Sequence, residues 1–180
     1  MPRHVSYWLV PATTERAVFQ ELIETLAGTY NAPRFVPHVT MYSGVNPADE
    51  HPADIIARST QKVQRVRLQI DRILATAAFI KTLFVQFHPS TPLRQLTEAM
   101  RRRSLQPSAY ALNPHLSLMY KTLSQPEARR TAATIQLPMA AVSFDEVGAI
   151  VSLGTTRTAE DVRRWQVVWR QRLSPATRVT

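Results

Sequence analysis

Pro37-His38-Val39-Thr40-Met41-Tyr42 and Pro114-His115-Leu116-Ser117-Leu118-Met119-Tyr120 are nearly the same phrase, written once in each half of the chain. In an extended strand, side chains alternate between faces, so the imidazole and the hydroxyl two residues on project the same way. Val39 and Leu116, between them, turn into a core. Each phrase offers one proton carrier and one hydrogen-bond donor on a single face. Two such strands facing each other would set two imidazoles across a group held by two hydroxyls, which are the parts that phosphodiester hydrolysis needs.

The surrounding pattern places the phrases in similar settings. Ser6 to Pro11 reads as a strand, followed by a helix that Thr13 or Thr14 caps, with Val18, Leu22, Ile23 and Leu26 at helical spacing. The first histidine strand follows the turn Asn31-Ala32-Pro33-Arg34, and Pro47 to Gln61 reads as a second helix with Ile55 and Ile56 inward. Alternation from Val66 to Phe79 predicts a long strand or hairpin arm. Lys81-Thr82 forms a tight connection into a strand over Leu83 to Phe87. Ser90-Thr91-Pro92 starts a helix reaching about Leu105, burying Leu93, Leu96 and Met100. After the second histidine strand, Ser124 caps a helix to Ile135, with Glu127 at capping-box spacing. Strand, helix, histidine strand, helix therefore occurs twice. The tail alternates from Val142 to Val151, Ala159 to Arg164 is a turn or short helix, and Trp165 to Leu173 closes a strand.

Composition narrows the classes. The 180 residues, 44% of them hydrophobic, are enough for one sizeable core or two small lobes, and no apolar run approaches the roughly 18 residues needed to span a bilayer. Met1-Pro2-Arg3-His4 leads straight into the first strand rather than into a signal-peptide apolar region, so a cytoplasmic protein is expected. Cysteine is absent, which removes disulfide and thiolate chemistry. The formal net charge of +9 favours anionic partners. The groups Arg101-Arg102-Arg103, Arg129-Arg130 and Arg163-Arg164 read as solvated faces first and as a nucleic-acid track second.

The two phrases, with Pro33-Arg34-Phe35-Val36 before the first and Trp8 upstream, resemble the paired His-x-Thr/Ser motifs of the 2H (two-histidine) phosphoesterase superfamily, and within it the cyclic phosphodiesterase branch of plants and yeast. The resemblance covers most of the chain. It implies an α+β, bilobal, pseudo-twofold fold over residues 1–180, with two antiparallel sheets lining a central groove and helices outside. It also implies metal-independent hydrolysis of 2′,3′-cyclic nucleotides or ADP-ribose 1″,2″-cyclic phosphate, with no cofactor. Carried over, the catalytic positions are His38, Thr40, His115 and Ser117, with His115 as base and His38 as acid by analogy. Trp8, Tyr120 and Phe79 stand at or beside the family's groove aromatics.

Tyr120 lies three residues past Ser117, so in a regular strand it faces away from His115, and a groove role needs a bulge or a strand end. Trp8 and Phe79 are core candidates first and base-stacking residues second. His4, His51 and His88 form no metal-ligand spacing and are expected at the surface or at strand ends. The expected partner is a small cyclic phosphate, and the expected state a monomer without membrane contact. Alternatives are an enzyme of RNA 3′ ends, similar to 2′-5′ RNA ligases or oligonucleotide phosphodiesterases, and a non-catalytic nucleotide-binding module.

Overall fold

The computed structural model describes residues 3–175. Each of the two sequence units folds as strand, helix, strand, helix: β1 (Arg3–Pro11), α1 (Thr13–Tyr30), β2 (Val39–Val45) and α2 (Pro52–Thr60), then β4 (Leu83–Phe87), α3 (Thr91–Arg103), β5 (His115–Met119) and α4 (Gln125–Thr134). Between the units runs β3 (Val66–Ala75), and after them come β6 (Ala141–Leu153), α5 (Ala159–Arg163) and β7 (Gln166–Arg172).

The strands join in the order β1-β2-β5-β4-β3-β6-β7, with β6 returning to pair with β1. Every pairing between these strands is antiparallel. The two antiparallel wings expected are joined in one hydrogen-bonded sheet, because the long β6 serves both: its start pairs with β3 and the remainder with β1 and β7. The wings are related by a pseudo-twofold that exchanges β2-β1-β6 with β5-β4-β3. On the line of that twofold the sheet narrows to a single bridge, Val39 to Leu116.

The helices pack crosswise. α1, which links β1 to β2, lies against β5, while α3, which links β4 to β5, lies against β2. In α1 the buried residues are Phe19, Ile23, Leu26 and Ala27, a one-sided apolar stripe. Val39, Met41, Leu116, Leu118, Leu93 and Met100 close the main core between helices and sheet. At about 25 cal/mol per Å² of apolar area, such burial is the main stabilising term.

Local chemistry explains the element ends. The Ser90 and Ser124 hydroxyls accept from the N–H groups of Leu93 and Glu127 and cap α3 and α4. Thr13 and Thr14 lie inside α1, whose N-cap is Ala12 without a side-chain bond, while Asn31 in the left-handed region ends it. α2 starts at Pro52 rather than Pro47, because Glu50 is drawn away to accept from Ser104 Oγ (2.9 Å) and the Leu105 N–H (2.6 Å). β3 stops at Ala75, where Thr76 Oγ1 accepts from the Ala78 N–H and donates to the Lys81 carbonyl, folding Phe79–Lys81 into a 3₁₀ turn.

The segment from Ser104 to Pro114 fills the wedge where β2 and β5 diverge. The Ser108 N–H donates to the Tyr42 hydroxyl, Ser108 Oγ to the Ser43 carbonyl, and the Tyr110 hydroxyl to the Thr40 carbonyl. Gly44 permits this approach, since a Cβ there would stand 3.3 Å from the Ser108 Cβ.

Candidate active site

The bridge between Val39 and Leu116 joins the middle residues of the two His-x-Thr/Ser phrases. In an antiparallel register this sets His38 across from Ser117 and Thr40 across from His115. Val39 and Leu116 are fully buried on the helix side, so the four polar side chains take the other face. His38, Thr40 and His115 line one cavity of about 290 Å³. Ser117 sits just beneath it, 3% exposed, with Oγ 3.4 Å from the Ile80 carbonyl.

Two matched bulges add a further residue to this face. Along β1 and β2 the register passes from Tyr7–Tyr42 to Trp8–Thr40, leaving Met41 unpaired. Along β4 and β5 it passes from Leu83–Met119 to Phe84–Ser117, leaving Leu118 unpaired. An extra residue in one strand shifts its alternation, so the third residue after each hydroxyl rejoins the polar face. That residue is Ser43 in the first unit and Tyr120 in the second, and both line the cavity. Tyr42 and Tyr120 are therefore not equivalent, for all that each phrase ends in tyrosine: Tyr42 is fully buried on the core side.

Each imidazole is oriented the same way. His38 Nδ1–H donates to the Val36 carbonyl and His115 Nδ1–H to the Asn113 carbonyl, both at 2.7 Å. A carbonyl can only accept, so the proton sits on Nδ1 and Nε2 is the nitrogen left for the cavity.

The surroundings differ. His38 lies flat on the Trp8 indole, with ring centroids 3.5 Å apart and planes within 7°, and Trp165 and Phe35 meet it edge-on. Burial lowers its pKa to about 3, against the opposing effect of the Val36 hydrogen bond and with a smaller push from His115. His115 touches the Phe84 ring edge-on at 5.4 Å. Its pKa is also lowered, first by burial and then by the Lys81 charge, against the Asn113 hydrogen bond. Burial pushes the Tyr120 phenol up to about 12, against a hydrogen bond from Ser117.

Of the remaining residues the sequence singled out, Trp8 and Tyr120 line the cavity. Phe79 stands behind Tyr120, ring centroids 6.1 Å apart, and takes no part in the wall. It opens the 3₁₀ turn, which carries Ile80 and Lys81 to the cavity in its place. His51 and His88 are exposed and His4 half-buried, away from the cavity. Sequence reasoning missed Lys81, Trp165, Tyr110 and Ser43. The bulge parity hid Ser43. Trp165, expected to start a strand, instead precedes β7, is anchored by its Nε1–H to Thr156 Oγ1 at 2.9 Å, and packs on Trp8.

The comparisons with known proteins agree with this architecture. Residues 1–173 match the family described as cyclic phosphodiesterase-like protein. A cyclic phosphodiesterase of Arabidopsis thaliana is 22% identical over 173 residues, covering 94% of this chain and 95% of that protein. A 2′,3′-cyclic-nucleotide 3′-phosphodiesterase of Phaeosphaeria nodorum is 25% identical over 130 residues, 64% of this chain and 67% of that protein. Among solved structures, E. coli LigT complexed with 3′-AMP superposes with a TM-score of 0.62 at 16% identity, over 97% of this chain and 99% of its own. The fold and the paired phrases are those of a 2H phosphoesterase. Within that superfamily, the chain belongs to the cyclic phosphodiesterase-like family.

Proposed function

We propose that this protein is a metal-independent cyclic phosphodiesterase that opens 2′,3′-cyclic nucleotides, or ADP-ribose 1″,2″-cyclic phosphate, to a phosphomonoester. The observation that carries this reading is the Val39–Leu116 bridge, which brings His38 and His115 to one cavity with a free Nε2 each. Its volume, about 290 Å³, lies at the small end of ligand sites and suits a mononucleotide-sized ligand. The Arabidopsis and Phaeosphaeria relatives carry names for this chemistry.

In the proposed reaction His115 Nε2 takes a proton from water as the new P–O bond forms. His38 Nε2–H gives its proton to the departing ribose oxygen as the old P–O bond breaks. One water is consumed and no electrons change hands. Burial holds both imidazoles neutral in the free protein near pH 7, so the proton that His38 delivers arrives together with the anionic substrate. The substrate's charge offsets desolvation, and the face of Trp8 stabilises the imidazolium. Thr40 and Ser117 donate to the non-bridging oxygens, whose charge grows in the transition state.

A product assay with chelator present tests this, using the four 2′,3′-cyclic nucleotides, ADP-ribose cyclic phosphate and short RNAs ending in a cyclic phosphate. Turnover of the small substrates, with a shallow dependence on salt, is expected. Turnover confined to RNA ends, with affinity falling steeply as salt is added, would favour the RNA-end enzyme instead. Binding without product would favour a non-catalytic module.

A further inference from the structure

The 3₁₀ turn Phe79–Lys81 breaks the pseudo-twofold. Phe84 and Trp8 are equivalent, each paired with the hydroxyl residue of its phrase, so Lys81 falls where β1 continues through the fully buried Val5. The turn is clamped from several sides: the Lys81 N–H donates to the Ala78 carbonyl at 3.0 Å, Thr76 Oγ1 to the Lys81 carbonyl at 2.6 Å, and Thr82 Oγ1 to the Phe79 carbonyl at 3.0 Å. This fixes the backbone of Lys81, a half-buried residue of the wall whose Nζ stands 5.9 Å from the centre of the Phe84 ring that abuts His115.

Among the described residues no acidic group balances that charge. Among the described residues the cavity wall contains no carboxylate, and every ion pair is made by an arginine or by His88. An uncompensated cation in a half-enclosed space is stable when an anion joins it.

Taking the cavity as a phosphodiester site, as above, we infer that Lys81 is a further functional group: its ammonium binds the phosphoryl oxygens from the His115 side of the cavity. Lys81 also contributes to the lowered pKa of His115. The other titratable groups of the wall are His38, Tyr110 and Tyr120, and burial pushes both phenols up to about 12, so they stay uncharged.

The test compares wild type with Lys81→Met, Lys81→Arg and Arg102→Met, the last lowering net charge equally on the exposed end of α3. Inorganic phosphate binding is measured by calorimetry, and the imidazole titrations by NMR. Lys81→Met is expected to bind phosphate about tenfold more weakly and to move the His115 titration to higher pH, with His38 unmoved. Lys81→Arg should restore most of the affinity, and Arg102→Met should match wild type. A wild type that does not bind phosphate, a Lys81→Met variant with wild-type affinity, or an unmoved His115 titration would overturn the proposal. Neither readout needs turnover. A protein with both changes but no activity on any cyclic phosphate would refute the phosphodiesterase reading and leave the anion site standing.

Discussion

The two halves of the cavity share a backbone and differ in what surrounds it. In both, a histidine donates from Nδ1 to the carbonyl two residues back, a bulge follows the hydroxyl residue, and an aromatic from the neighbouring strand stands opposite. On the first side that aromatic is Trp8, stacked face to face on His38, and Trp165 and Phe35 complete the enclosure. On the second it is Phe84, edge-on to His115, with a lysine nearby. Symmetric strands deliver two equivalent nitrogens, and unequal surroundings can make one of them a proton donor and the other an acceptor. Paired titratable groups in contrasting environments are a common way to divide acid and base work.

The severest test of this division removes each imidazole. His38→Ala and His115→Ala are each expected to lower turnover of a cyclic nucleotide by about 10²-fold to 10⁴-fold with unchanged circular dichroism. Near-normal rates in either folded variant would break the pairing. Next come the hydroxyls: Thr40→Val and Ser117→Ala should each cost about 10²-fold in kcat, the scale of losing one fixed donor. A loss confined to KM would mean that they serve binding alone.

The asymmetry also has a signature in stability. His38 titrates near 6.5 when unfolded and at about 3 when folded, so between those values the unfolded chain holds a proton that the folded chain lacks. Stability therefore falls as pH drops from about 6.5 to about 3, by several kcal/mol at most, and levels off below that window. Denaturant titrations should find this slope in wild type and a flatter one in His38→Gln. Trp165→Leu should sharpen the comparison from the other direction. By opening the enclosure it should raise the His38 titration by NMR and make the first side more like the second. The smallest effect belongs to Thr158→Ala, which removes the capping box of α5, the helix just before Trp165. It should cost about 1 kcal/mol in thermal denaturation.

Much of this site is legible in the sequence, for a physical reason. A strand with period two needs one buried residue between two polar ones, and His38-Val39-Thr40 and His115-Leu116-Ser117 display that pattern directly. The caps at Ser90 and Ser124, the inward Ile55 and Ile56, and the twofold repetition of elements were legible on the same grounds of spacing and turn chemistry. Other features depend on register, which lies between strands rather than along one. The bulges at Met41 and Leu118 leave no mark in composition, so the sequence alone neither points to Ser43 nor decides which face Tyr120 takes. The resemblance puts Phe79 beside the groove aromatics, and alternation alone runs the strand on to it. Once Thr76 folds the chain there, Phe79 moves behind Tyr120 and Lys81 comes forward. Trp165 belongs to the cavity only through the arrangement of α5 and β7, which no local pattern announces.

The central claim is that His38 and His115 serve one phosphoryl group. It is tested most directly by titrating a nucleoside 2′-monophosphate into protein labelled for imidazole NMR. The account predicts that the Nε2 signals of His38 and His115 move together, at one half-saturating concentration, while those of His4, His51 and His88 stay in place. Movement of one without the other, or of neither while the ligand binds elsewhere, would contradict it.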